Sequence, residues 1–309
     1  MIRLLLRRLA QGLLVVFVLE TITFFLVRLL PGNPFLGDRK LPEHIMAQLN
    51  NLYGLDQPAW VQYLNYWKGI LLHGDFGPSL VREGVQVSTI ISQAFPVSLE
   101  VGVVGMLIAV CVGIPAGMLA AWYRNRWPDA LLMLPAMAGI CIPAFVTAPV
   151  FGLVLGTHVP GLSVAGWDNP LCVVLPALTL GLINAAYIAR LTRGGMVEVL
   201  AQDFVRTARA KGCGPVRLLY VHAMRSGLLP AVSYLGPAFA ALITGSFVVE
   251  TCFQVPGMGL HFVNATTDRD YFLIQGLVFC YGSLIVAANL VVDLVLVALN
   301  PRLRSQGTA

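Results

Sequence analysis

Charge is scarce in this sequence. Lysine, arginine, aspartate and glutamate make up 11% of its 309 residues, less than half of the roughly 25% usual in a soluble globular domain. Hydrophobic residues reach 57% and mean hydropathy is +0.78, an apolar excess too large for the cores of one or two soluble domains. The composition argues against a soluble enzyme and for a membrane protein. Only three lysines occur, in Arg39-Lys40-Leu41, Trp67-Lys68-Gly69 and Ala210-Lys211-Gly212. None is a Gly-Lys followed by Ser or Thr, the arrangement that neutralises phosphate charge and holds magnesium, so the chain is not expected to hydrolyse ATP itself. The metalloprotease HExxH and hydrolase GxSxG patterns are missing too, and the histidines at 44, 73, 158, 222 and 261 are scattered. The six cysteines, at 111, 141, 172, 213, 252 and 280, form no CxxC or zinc-knuckle spacing and read as small buried hydrophobes. No catalytic site, metal site or cofactor is expected in this chain.

What is present is a series of long apolar runs. Six reach the roughly 20 residues needed to cross ~30 Å of hydrocarbon: about 9–30, 97–122, 131–156, 171–190, 228–253 and 273–299. The first follows Arg3, Arg7 and Arg8 like a signal-peptide n-region, but its run is too long and ends in no small-x-small site, so it reads as an uncleaved helix. Taking alternate segments between the runs, lysine and arginine number fourteen on one side against five on the other. By the positive-inside rule both termini and the loop 191–227 are cytoplasmic, and loop 31–96 is outside. The basic pI of about 9.0 is mostly this asymmetry, which removes the case for nucleic acid. The expected architecture is an all-α membrane protein with six transmembrane helices, N-in and C-in, one permease-like unit over 1–309. In the outer loop Pro42 can open a short helix through Tyr53. Trp60, Tyr63, Tyr66 and Trp67 recur on one side of a second helix, fit either for the membrane interface or for packing on the bundle.

The cytoplasmic loop predicts an amphipathic helix over about 197–212. Val197, Leu200, Phe204, Ala208 and Lys211 follow helical spacing, Gln202, Arg206 and Arg209 lie elsewhere, and Gly212, Gly214 and Pro215 end it. Periodicity alone leaves two readings open, a helix lying on the bilayer and a helix that binds a partner.

The residues themselves narrow this. Asp203-Phe-Val-Arg-Thr-Ala-Arg-Ala-Lys-Gly212, with His222-Ala223 and Leu228-Leu-Pro230 downstream, resembles the coupling loop of ABC-importer permeases of the oligopeptide/dipeptide family. The resemblance extends along the chain in order: Leu30-Pro-Gly-Asn-Pro34, His73-Gly-Asp-Phe-Gly-Pro-Ser79, Thr192-Arg-Gly194, Glu250-Thr251 with Pro256-Gly257-x-Gly259, Arg269-Asp-Tyr271 and Asn300-Pro-Arg302 are similar to that family's B-type subunit. It implies the type I ABC importer transmembrane fold, a bacterial inner-membrane location, and half of a pore working by alternating access. It further implies a second homologous permease subunit, one or two cytoplasmic ATPase subunits carrying the ATP and magnesium, an extracytoplasmic peptide-binding protein, and a peptide substrate. The general importer motif carries Glu-Ala-Ala before its glycine; here Arg206-Thr207-Ala208 stands in that register, so no acidic residue is given a role. The residues expected to meet the ATPase are Leu200, Asp203, Phe204, Arg206, Thr207, Ala208, Arg209, Ala210, Lys211 and Gly212, with Phe204 as apolar anchor. His73 to Ser79 and the short loop 157–170 lean toward oligopeptides, with dipeptide, glutathione or nickel transport as alternatives in the family.

Four carboxylates, Glu20, Glu100, Glu250 and Asp293, fall inside the apolar runs. At mid-bilayer each costs at least ~2–3 kcal/mol, so none should face lipid. They are candidates for the substrate path or for hydrogen bonding between helices; an ion- or proton-coupled secondary transporter is the competing function they raise. Gly113-Ile-Pro-Ala-Gly117 is a small-residue pattern that permits close helix approach, and Pro115, Pro135, Pro143, Pro149, Pro176 and Pro237 mark fixed kinks or a gating hinge.

Overall fold

A chain this apolar satisfies its backbone polar groups in lipid by forming helices, and the computed structural model, which describes residues 2–29, 35, 42–82, 84–244 and 247–299, is helical nearly throughout. Among those residues no strand forms; there is one isolated bridge between Pro78 and Gln86. The motifs at 30–34 and 300–302 lie outside the described residues.

Helix α1 (Ile2–Leu29) is followed by two outer-loop helices, α2 (Glu43–Leu52) and α3 (Ala59–His73), and by the long α4 (Val87–Trp122). The expected second span thus begins ten residues early. Next come α5 (Trp127–Cys141), α6 (Ala144–Phe151) with its π-helical extension Gly152–Gly156, and α7 (Val174–Leu200). Beyond the C-terminal end of α7 lie α8 (Asp203–Ala210), α9 (Pro215–Arg217), the π-helical turn Leu218–Ala223 and α10 (Met224–Gly227). The chain closes with α11 (Leu229–Thr244), α12 (Phe247–Phe253), α13 (Met258–Asp268) and α14 (Tyr271–Leu299). Among the described residues four helices are long and apolar enough to cross a membrane, or up to six when each of two bent pairs counts as one span.

The centre of the bundle is the pair α4 and α7. A Cβ added at Gly113 would lie 2.7 Å from the carbonyl oxygen of Ala185, one at Gly181 2.7 Å from that of Gly105, and one at Gly117 would overlap Ala189 and Thr192. The two backbones touch because glycine leaves the space. The partners rise together, from 105 against 181 to 117 against 192, so α4 and α7 run parallel. The small-residue pattern therefore acts as the packing seam expected of it.

Between these parallel helices the chain must return, and the bent pair α5 and α6 does so. Asp129 lies against Arg193, Gly139 faces Ala186, and Gly156 faces Leu175. The pair follows α7 backwards over eighteen residues, ~27 Å of helix rise, despite a 108° bend. The bend falls at Pro143, where Ile142 is extended (φ −86°, ψ 119°), as the steric bias of a residue before proline against the helical region favours. The crossing expected over 131–156, with Pro143 as a fixed kink or hinge, is thus two helices. Likewise the run 228–253 divides into α11 and α12, and α11 meets the preceding segment at 58°.

Helices α1 and α14 are antiparallel: Arg8 pairs with Asp293 at 3.2 Å, Gly12 meets Val286, and Gly282 meets Val16 and Leu19. The start of α1 and the end of α14 therefore lie at the same end of the bundle. Helix α3 packs antiparallel on α1 through the aromatic stripe: Tyr63 stacks on Phe25, 5.7 Å between ring centroids, and Trp67 reaches Phe17 at 5.2 Å. Trp60, Leu64, Leu71 and Leu72 remain exposed, so α3 has one aromatic face on the bundle and one apolar face outward.

Replacing Gly117 by leucine should force α4 off α7. Overpacking of this kind costs about 1–3 kcal/mol or more. Thermal unfolding of the purified protein in detergent should show a clear drop, whereas leucine at Gly194, where nothing lies within 4 Å of an added Cβ, should leave the transition unmoved.

Candidate coupling surface and the buried carboxylates

At the end of the bundle that carries α8, the inner ends of α4 and α7 form a small apolar core from Met118, Ala121, Met196 and Val199, joined by Leu218, Leu219 and Ala223. One residue of α8 completes it: Val205, 1% exposed. This corrects two expectations. The helix over 197–212 is in fact the end of α7, a break at Ala201 and Gln202, and an eight-residue helix of its own. The stripe also changes phase at the break. Val197, Leu200 and Ala208 do pack on this core, but Phe204 is 45% exposed and Val205 turns inward in its place.

Phe204 therefore stands outward on α8, flanked by exposed Asp203, Arg206, Thr207, Arg209, Ala210 and Lys211. Thr207 donates to the Asp203 carbonyl at 3.0 Å and Arg206 reaches the Asp203 carboxylate at 3.4 Å, closing the first turns locally. Arg209 lies over the Trp122 ring at 5.8 Å, a further tie from α8 to α4. Lys211 caps the helix and exposed Gly212 leaves it with φ +79°, the left-handed position that suits glycine. The segment 215–223 packs against α8 and exposes Val216, Tyr220 and Val221, three apolar residues absent from the sequence-based site. The run opened by Pro215, with Val216 and Tyr220 one turn apart, was the available signal.

The four carboxylates of the apolar runs have different surroundings, and Glu250, on α12, falls outside the candidate spans. Glu250 is fully buried at the start of α12. It accepts from Ser98 Oγ on α4 and from the Leu260 backbone N–H, both at 3.0 Å, while Ser98 accepts from the Met258 N–H at 2.8 Å. An added Cβ at Gly257 would sit 2.5 Å from the Glu250 carboxyl carbon, and one at Gly259 3.0 Å from its Oε2. The two glycines of Pro256-Gly257-x-Gly259 are thus the residues that let the backbone wrap this side chain. Two separate sequence motifs prove to be one clasp, with Ser98 its unrecognised third member.

Glu20 is buried, accepting from the Tyr66 hydroxyl at 2.6 Å. Burial raises the Tyr66 phenol above its usual range, so it stays a donor. Asp293 pairs with Arg8. Glu100, by contrast, is exposed on α4. A fifth carboxylate, Asp270, joins two further motifs. Its side chain accepts from Ser79 Oγ, from the Leu80 N–H at 3.2 Å, and from the Leu273 N–H at 3.2 Å, so it starts α14 and fastens the outer loop to it.

Comparison with known proteins agrees with this layout. Residues 113–305 match the family described as "Binding-protein-dependent transport system inner membrane component", and residues 1–101 match the family's N-terminal region. The chain is 42% identical over 307 residues to the oligopeptide transport system permease protein OppB of Haemophilus influenzae, covering 98% of this chain and all of that protein. It is 39% identical over 289 residues to the dipeptide transport system permease protein DppB of Bacillus subtilis, covering 94% of each. In fold it is similar to the inward-facing MetNI methionine ABC transporter, with TM-score 0.58 over 69% of this chain and 97% of that one at 15% identity.

Removing the Glu250 carboxylate strands Ser98 and a buried N–H. Glu250→Ala should cost about 2–5 kcal/mol and Glu250→Gln, which keeps an acceptor, distinctly less; the order of the two unfolding midpoints in detergent checks this, and equal midpoints would contradict it. The parallel α4 and α7 seam, the clasps built from ordered motifs and the full-length matches together lead to one statement: this chain belongs to the family of inner membrane components of binding-protein-dependent transport systems, as an OppB-like ABC permease.

Proposed function

We propose that the chain is one permease subunit of an ATP-driven peptide importer of the bacterial inner membrane, forming half of the translocation pore and opening it alternately to the two sides. The full-length similarity to oligopeptide permeases supports peptides as the substrate, with oligopeptides ahead of dipeptides on identity. The remaining components are a second homologous permease, one or two ATPase subunits holding ATP and magnesium, and an extracytoplasmic peptide-binding protein.

Residues 1–309 are read as one permease domain with six crossings and both termini cytoplasmic. The directions of packing support this: α4, α7 and α14 run one way, and α1, the pair α5 and α6, and α11 run the other. Gly102 of α4 faces Ile243 of α11 while Gly195 of α7 faces Gly227 and Pro230, so α11 opposes both. The excess of arginine at the α8 end supports a cytoplasmic position for that end.

The observation that carries the mechanism is α8 itself. One face, through Val205, is sealed into the inner ends of α4 and α7; the other presents Phe204 and a rim of Arg206, Arg209 and Lys211. Such a helix acts as a lever: a partner that closes on Phe204 moves the α4 and α7 pair with it. Driving a two-state pore from 1:99 to 99:1 takes ~5.5 kcal/mol of differential interaction, a scale that ATPase closure can supply through a few packed contacts. Among the carboxylates, Glu100 is the one proposed for the peptide path, because it is open; Glu20 and Glu250 serve the packing. Glu250 and Asp293 have internal partners, which weakens the ion-coupled alternative at those two positions, whereas Glu20 keeps Oε2 without a hydrogen-bond partner among the described residues.

Phe204→Asp should leave insertion and abundance unchanged but separate ATP hydrolysis from uptake, lowering transport by at least tenfold in vesicles. Normal uptake by that variant would remove the lever. For topology, single cysteines at Asn125 and Gly214 in a cysteine-free background should react with an impermeant thiol reagent only from the cytoplasmic side, and one at Asp168 only from outside; the reverse pattern would invert the orientation.

A further inference from the structure

A second feature lies at the same end of the bundle, between α5 and α7. A cavity of about 860 Å³ opens there, lined by Arg126, Arg190 and Arg193 together with Met133, Leu134, Met137 and Ile140. The arginines are not equivalent. Arg193 is held by Asp129 through two hydrogen bonds of 2.7 Å. Arg126 and Arg190 are exposed, and among the described residues no carboxylate pairs with either. Three arginines against one aspartate leave two positive charges in the lining.

The arginine-bearing part of the lining is also fixed in place. Asp129, besides binding Arg193, accepts from the Asn125 N–H at 2.9 Å, and Asn125 takes a left-handed conformation (φ +61°) to present it. The turn between α4 and α5 is thereby tied to α7, and Arg126 projects from a rigid turn. Trp127, 77% exposed, stands next to it, the residue type that settles at headgroup depth.

From this arrangement we infer that the cavity binds an anionic glycerophospholipid of the leaflet at the α8 end, its phosphate between Arg126 and Arg190 and an acyl chain along α5. The cavity changes from cationic to apolar along one axis, as such a lipid does. From Arg126 to Ile140 α5 rises ~21 Å, enough for a headgroup and one leaflet of hydrocarbon, about half of ~30 Å. A soluble anion would have no use for the apolar lining, and a neutral lipid none for the unpaired arginines. Basic pockets between spanning helices at the cytoplasmic face are suited to anionic headgroups on the same physical grounds. The inference is independent of the transported substrate and of the coupling role of α8.

The test uses the assembled transporter in nanodiscs of phosphatidylcholine mixed with phosphatidylglycerol. Native mass spectrometry after transfer to detergent should show phosphatidylglycerol retained in preference to phosphatidylcholine. The double variant Arg126→Gln and Arg190→Gln should lose that retention on the order of tenfold, and the corresponding double lysine variant should keep most of it, which separates lost charge from lost folding. A photoreactive phosphatidylglycerol should label α5 and α7. Equal retention of both lipids, retention unchanged in the glutamine variant, or cross-links from this cavity to the second permease subunit in place of lipid would overturn the assignment.

Discussion

The structure depends on the contact between α4 and α7, where backbone meets backbone. In lipid there is no hydrophobic gain from bringing two apolar helices together, so their association rests on close van der Waals packing and on polar ties. Gly105, Gly113, Gly117 and Gly181 allow that approach. Because the two helices are parallel, the α5 and α6 pair has to cross between them in the chain, and it lies along α7 throughout. Because α7 continues past the end of the seam to Leu200, the short α8 starts within reach of Val205's pocket at the ends of both helices. A change at the α8 surface is therefore applied to the centre of the bundle.

The few charges inside the molecule have a common use. Glu250 fastens the start of α13 to α4, Asp270 fastens the outer loop to α14, Glu20 fastens α3 to α1, and Asp129 fastens the α4–α5 turn to α7. Each connects a segment outside the main crossings to the helix it must accompany. In a low-dielectric interior such a group is costly unless its oxygens are satisfied; Glu250, Asp270 and Asp129 have both oxygens bonded, whereas Glu20 keeps Oε2 without a partner among the described residues. The glycines beside Glu250 belong to the same arrangement, since a side chain at either position would push the carboxylate out.

Much of this was legible in the sequence. Hydropathy located the apolar runs that fold, among the described residues, as four to six candidate spans, and Gly113 and Gly117 marked the seam. The ordered motifs carried the family because they are the clasps: Glu250 with Gly257 and Gly259, and Ser79 with Asp270, which lie far apart in the chain and meet only after folding. Other features were not legible, for physical reasons. Helix α8 has eight residues, two turns, too few for a period to be fixed when an apolar stripe enters from the preceding helix; hence the stripe read through Phe204 is continued inward by Val205. Pro143 was visible, but a 108° bend depends on what α5 and α6 pack against. Hydropathy ends a span at Arg190, whereas the helix ignores that boundary, as the arginine lies at its surface. The packing of α3 on α1 needed the knowledge that Tyr66 finds Glu20.

The rigid attachment of α8 to the α4 and α7 ends is tested most directly by a spin-label distance. Labels at Gln202, beside α8, and at Asn125, beyond the end of α4, in the complete transporter should give one sharp distance that stays the same with and without bound ATP, while the distance between α8 helices of the two permease subunits changes. An ATP-dependent shift between Gln202 and Asn125 would mean that α8 moves on its own and does not drive the bundle.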